Sequence, residues 1–71
     1  MSTLDLRVNG EPRQVTDGTT IADLVAALTG EADPRGVAVA VDRCVIPRSE
    51  WAATPARPGT LVEVVTAAAG G

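Results

Sequence analysis

Apolar and polar residues alternate through the first stretch, Thr3-Leu4-Asp5-Leu6-Arg7-Val8. Leu4, Leu6 and Val8 point one way and Thr3, Asp5 and Arg7 the other, which predicts a strand with one buried face. Asn9-Gly10 follows, a dipeptide suited to the two positive φ angles of a type I′ hairpin turn. Arg13-Gln14-Val15-Thr16 is then expected to return as a short second strand, and Pro12, which has no N–H, marks it as an edge. After a turn at Asp17-Gly18 the period changes. Ile21, Leu24, Val25 and Leu28 fall at i, i+3, i+4 and i+7, one face of a helix. Thr20 stands where an N-cap belongs, with Asp23 three residues on as the other half of a capping box. Alanines 22, 26 and 27 favour helix, and Gly30 is placed to stop it, so the pattern predicts a helix over 21–29. Residues 31–36 form a loop. Val37, Val39 and Val41 alternate with the small Ala38 and Ala40 in a third strand. Asp42-Arg43 turns, and Cys44-Val45-Ile46 makes a fourth strand ended by Pro47. Arg48–Trp51 is expected to form one short helical turn and 54–59 a proline-containing loop. Residues 60–65 are expected to be the last strand.

The order is ββαββ, with no repeats and no low-complexity linker. Two hairpins separated by one crossover helix give an α+β fold, a mixed sheet packed on one helix. A right-handed crossover lets the first and last strands lie side by side and parallel in the middle of the sheet. The helix then covers Leu4, Leu6, Val8, the three valines of 37–41, Val62 and Val64. The opposite face shows Ala38, Ala40, Leu61, Glu63 and Val65.

Composition sharpens this picture. The chain has 71 residues, of which 45% are hydrophobic, enough for one globular domain with an economical core. That core is aliphatic, because there is no Phe or Tyr and a single Trp. A net charge of −3 is the wrong sign for a nucleic-acid partner, which needs a basic surface. One cysteine permits no internal disulfide, which suits a reducing compartment. The N-terminal residues carry charges where a signal peptide needs an apolar run, and no stretch approaches the length of a membrane span. No membrane and a cytoplasmic location are therefore expected, and a monomer. The chain also lacks His, Lys and Tyr, so the usual general bases, Schiff-base amines and imidazole metal ligands are missing. An autonomous enzyme is hard to build from what remains; no catalytic side chain and no metal site are expected.

The segment "VNGEPRQV", the helix start "DGTTIADLVAAL", the stretch "VAVAVDRCVIPRSEW" and the end "GTLVEVVTAAAGG" together resemble the ThiS family of ubiquitin-like β-grasp proteins, sulfur carriers of thiamine biosynthesis. The resemblance covers nearly the whole chain. Pro47-Arg48 with Trp51, and the closing Gly70-Gly71, are its most specific parts. It departs from the family at Pro58-Gly59-Thr60 and in the small residues that precede the glycines.

The resemblance implies a β-grasp domain over 1–66 and a flexible C-terminal tail over 67–71. It implies that a partner adenylyltransferase of the ubiquitin-activating type, supplying ATP and Mg²⁺, adenylates the Gly71 carboxylate. Sulfur from a persulfide donor then gives a thiocarboxylate, and thiazole synthase takes that sulfur for the thiazole ring. No cofactor is bound stably. Gly70, Ala69 and Ala68 would thread into the partner, and Leu61, Val65, Ala38 and Ala40 would form the partner-binding face. Two alternatives stay open at this point. One is the small subunit of molybdopterin synthase, with the same tail chemistry. The other is a β-grasp interaction module with an inert tail.

Five residues have a plainer reading beside a functional one. Trp51 is either a ring packed over the edge of the core or an interface anchor. Arg48 is either a solvated arginine or half of a docking ion pair. Cys44 is expected to be a small buried apolar residue rather than a sulfur-handling thiol, because the chain has no His or Lys to lower its pKa. Asp17 and Asp23 are expected to serve a turn and a cap, and not an acid/base pair.

Overall fold

The structure, a computed structural model, describes residues 2–31 and 34–66. Its elements are β1 (Thr3–Val8), β2 (Glu11–Thr16), α1 (Ile21–Thr29), β3 (Val37–Val41), β4 (Cys44–Ile46), a 3₁₀ helix over Arg48–Ala53 and β5 (Leu61–Thr66). One five-stranded sheet has the order β2-β1-β5-β3-β4. β5 runs parallel to β1 and antiparallel to β3, so the last strand lies between the two hairpins.

Asn9 and Gly10 take φ angles of 53° and 83°, as a two-residue type I′ hairpin needs. β2 is longer than its sequence predicts. It starts at Glu11 and includes Pro12, which stands opposite Arg7. An edge strand has one flank without a partner, and there a missing N–H costs nothing. The last strand is displaced by one residue from the expected 60–65. Thr60 belongs to the preceding loop, where its hydroxyl donates to the Arg57 carbonyl, and Thr66 belongs to the strand, opposite Val37.

α1 starts and stops as its sequence dictates. The Asp23 N–H donates to Thr20 Oγ1 at 3.1 Å and the Thr20 N–H to Asp23 Oδ2 at 3.0 Å, a complete capping box. Such a cap contributes about 1 kcal/mol. At the other end Gly30 adopts φ 78° and its N–H donates to the Ala26 carbonyl.

The helix buries Ile21, Leu24 and Val25 against the sheet. With them lie Leu6, Val8, Val39, Val62, Trp51 and Ala56. Leu4, Val37, Val41 and Val64 pack around this cluster partly buried. Leu28, expected on the same helical face, is 37% exposed because it falls in the last turn, past the main cluster. Ala56 was hidden in a loop pattern with no period. It is carried inward because the segment around it adds to the helix entry: the Ile21 N–H donates to the Thr54 carbonyl and the Ala56 N–H to the Thr19 carbonyl, both at 2.8 Å.

Candidate functional site

Register places the expected partner-binding residues on one surface. β5 turns Val62 and Val64 toward the helix, so Leu61, Glu63 and Val65 face away. Val65 stands opposite Ala38, and Glu63 opposite Ala40. Val65 is 63% exposed, Ala38 is exposed, and Leu61 and Ala40 are half-buried. The sequence did not single out Val45. It pairs with Ala40 across β3 and β4 and is 74% exposed, the most exposed large apolar residue described. The face away from the helix therefore carries Val65, Ala38, Ala40 and Val45 on adjacent strands, with Glu63 beside them. Register settles its face: Ile46, opposite the buried Val39, packs toward the core and puts Val45 on the other side.

Gly71, Gly70, Ala69 and Ala68, the expected sulfur-carrying and threading positions, lie outside the described residues, as does the whole 67–71 segment. What is described is the strand that leads to them. β5 is gripped by side chains from both hairpin turns. Asp42 accepts the Leu61 N–H on Oδ1 at 2.9 Å and donates its own N–H to the Leu61 carbonyl at 2.8 Å. Asn9 accepts the Val64 N–H on Oδ1 at 2.8 Å and donates its N–H to the Val62 carbonyl at 2.9 Å. Neither role was legible in the sequence, where both residues are read only as turn formers.

Trp51 is 5% exposed, and its indole N–H donates to the Ile46 carbonyl at 2.9 Å. It is a core residue with its polar edge satisfied, in agreement with the plainer of its two readings. Arg48 is exposed and also makes contacts within the chain. Its guanidinium lies 5.0 Å from the Trp51 ring centroid and donates to the Pro34 carbonyl. The 3₁₀ helix sets the two side chains three residues apart on one side. Pro-Arg-x-x-Trp is thus a packing unit in which a cation covers the one large ring and fastens the loop before β3.

Cys44 is exposed, contrary to the expected buried position. It ends a cross-sheet row, Val8, Val62, Val41 and Cys44, that runs out to the edge strand beyond the centre of the core. Asp23 caps the helix, and Asp17 donates its N–H to the Ser2 carbonyl. Among the described residues no group of three or more His, Cys, Asp or Glu side chains could hold a metal, and no helix is long and apolar enough to cross a membrane. Two shallow hollows flank the first hairpin, one containing Arg13 and the other Arg7.

A mixed sheet with a parallel central pair, crossed on one face by a single helix between two hairpins, is the ubiquitin-like β-grasp. The model of the ThiS family matches residues 6–71, and the chain belongs to that family. Among solved structures it is similar to the crystal structure of the thiamine biosynthesis protein ThiS from Geobacter metallireducens. The two are 30% identical, the match covers 96% of this chain and 100% of that one, and the TM-score is 0.77. No curated protein matches the chain.

Proposed function

We propose that this chain is a sulfur carrier for thiazole formation in thiamine biosynthesis, a co-substrate acted on by partner enzymes in the cytoplasm. The observation that carries the reading is the family match, which runs through the tail to Gly71. The likeness to a thiamine biosynthesis protein supports it.

The chemistry belongs to the main chain. A carboxylate is a poor electrophile and an acyl-phosphate anhydride a good one. An adenylyltransferase of the ubiquitin-activating type, with its own ATP and Mg²⁺, joins the Gly71 carboxylate to AMP and releases pyrophosphate. The terminal sulfur of a persulfide attacks the carbonyl and AMP leaves, forming an acyl disulfide. A second thiol cleaves the S–S bond, becoming part of a new disulfide and leaving the thiocarboxylate that thiazole synthase consumes. To reach a nucleotide in a partner's site the tail must be slim, and Ala68, Ala69, Gly70 and Gly71 carry nothing larger than a methyl group. No side-chain base is needed, which agrees with a chain that has neither His nor Lys.

Docking is assigned to the outer sheet face around Ala38, Ala40, Leu61 and Val65, with Val45 at its far edge. Val65→Glu places a charge on this face without touching the core, so folding stability stays within about 0.5 kcal/mol. The expected result is a raised KM for adenylation with the fold intact by circular dichroism. An unchanged KM would remove Val65 from the interface.

The deciding experiment is mass spectrometry of the chain incubated with its adenylating partner, ATP·Mg²⁺ and a persulfide source. Exchange of oxygen for sulfur is nearly isobaric with a single oxidation, so the C-terminal fragment itself must carry the shift. A thiol alkylator must also label the tail of a Cys44→Ser variant. A shift that disappears without ATP supports the carrier. No shift with ATP, partner and persulfide present would overturn it in favour of an interaction module.

A further inference from the structure

We infer that Asn9 is a positioning residue that fixes the end of the last strand, Val64–Thr66; its consequence for adenylation rests on the sulfur-carrier reading. On one flank β5 pairs with β3 through to Thr66. On the other flank β1 ends at Val8, opposite Val62, where the chain turns away into the first hairpin. The Val64 N–H points to this second flank, and no further strand residue is there to receive it. The Asn9 side chain takes that place. Its main-chain N–H donates to the Val62 carbonyl at 2.9 Å and its amide oxygen accepts the Val64 N–H at 2.8 Å, across a sequence separation of 55 residues. One residue therefore extends the parallel ladder beyond the end of its own strand.

The turn alone does not require this. At φ 53° the position favours Asn, Asp or Gly, and any of the three would close the hairpin. Only Asn and Asp carry an oxygen that reaches Val64. The contact sits one residue before the exposed Val65 and two before the end of β5, past the buried Val62. Loss of the acceptor frees one flank of Val64–Thr66 and leaves the core as it was. The strand end then presents Val65 from a broader set of directions. A partner that must seat the outer face and draw in the tail together would bind it less well.

Two variants separate the lock from the turn. Asn9→Gly keeps the positive φ and loses the acceptor, whereas Asn9→Asp keeps both. Amide hydrogen exchange, measured by NMR on the isolated chain, is expected to be about fivefold to tenfold faster at Val64 in Asn9→Gly. In the same variant Val39 and Val62 should stay within about twofold, and Asn9→Asp should resemble the wild type. Unchanged exchange at Val64, or equal acceleration at Val39 and Val62, would overturn the lock. With the adenylating partner, Asn9→Gly is expected to raise KM about threefold at unchanged kcat, with Asn9→Asp restoring it. Faster exchange at Val64 with an unchanged KM would overturn the positioning role. If the wild-type chain is not adenylated at all, the sulfur-carrier reading fails instead, and the exchange result still decides the lock.

Discussion

Asn9-Gly10 and Asp42-Arg43 are both two-residue hairpin turns with positive φ at each position, yet they are built from unequal residues. The first has glycine at its second position, where positive φ carries no steric cost. The second has Arg43 at φ 70°, a conformation that is unfavourable for a side chain with a Cβ. Each turn also supplies an acceptor to β5, Asp42 at its beginning and Asn9 toward its end. The comparison separates two demands on a turn residue. Backbone conformation is a local demand, which glycine meets best. The grip on a distant strand is a global one, and it needs a short side chain with an oxygen. Asn and Asp at the first positions meet both. At the second positions only the local demand applies, and Arg43 leaves it unmet.

The largest expected effect comes from removing what both turns hold. Val62 is fully buried between Val8 and Val41. Val62→Ala should cost about 2–3 kcal/mol in denaturant unfolding, from lost apolar burial and the cavity left behind. A loss near zero would mean that the turns, and not the core, hold the strand. Next comes Asp42→Ala, which strips the acceptor from the Leu61 N–H and should cost about 1–2 kcal/mol. Asp42→Asn keeps an oxygen there and should recover most of it; equal losses would show that the carboxylate charge matters more than the contact.

The asymmetry of the second positions is tested by a reciprocal pair. Arg43→Gly should stabilise the chain by about 1 kcal/mol, and Gly10→Ala should destabilise it by a similar amount. A Cβ at Gly10 meets no atom within 4 Å, so any loss there comes from backbone conformation alone. Two shifts of the same sign would refute the comparison. The smallest effect is expected at Cys44→Ser. This side chain is exposed and lies at the start of β4, so stability should move by less than about 0.5 kcal/mol. The proposed sulfur loading of the C-terminus should also be unaffected, as read by the C-terminal fragment mass.

The elements were legible in the sequence because each rests on a local pattern: alternation in Thr3–Val8, a 3.6-residue period in Ile21–Thr29, and turn dipeptides between strands. The Thr20–Asp23 cap was legible for the same reason. The misplaced details depend on distant neighbours. Thr66 is a strand residue because Val37 stands opposite it, and Ala56 is buried because its N–H pairs with Thr19. Cys44 was misjudged because strand composition gives no measure of how far a helix reaches across a sheet. On the outer face, alternation placed Leu61, Val65, Ala38 and Ala40 together. Val45 was overlooked because a three-residue strand has too short a pattern to assign a face without its register. The grips of Asn9 and Asp42 span 55 and 19 residues, and no local pattern contains them.

The central place of β5 has a consequence for how the chain is made. β1 and β3 are not neighbours in the sheet; each meets the other hairpin only through β5, the last strand in chain order. During synthesis the amino-terminal hairpin and the helix emerge early, but the sheet cannot close until Leu61–Thr66 has left the ribosome. Long-range pairing of this kind is slow to form, and the nascent chain stays open until then. A product that stops short of the last strand leaves its valines uncovered and is a target for proteolysis. Loss of β5 therefore costs the closed sheet together with the strand that leads toward Gly71.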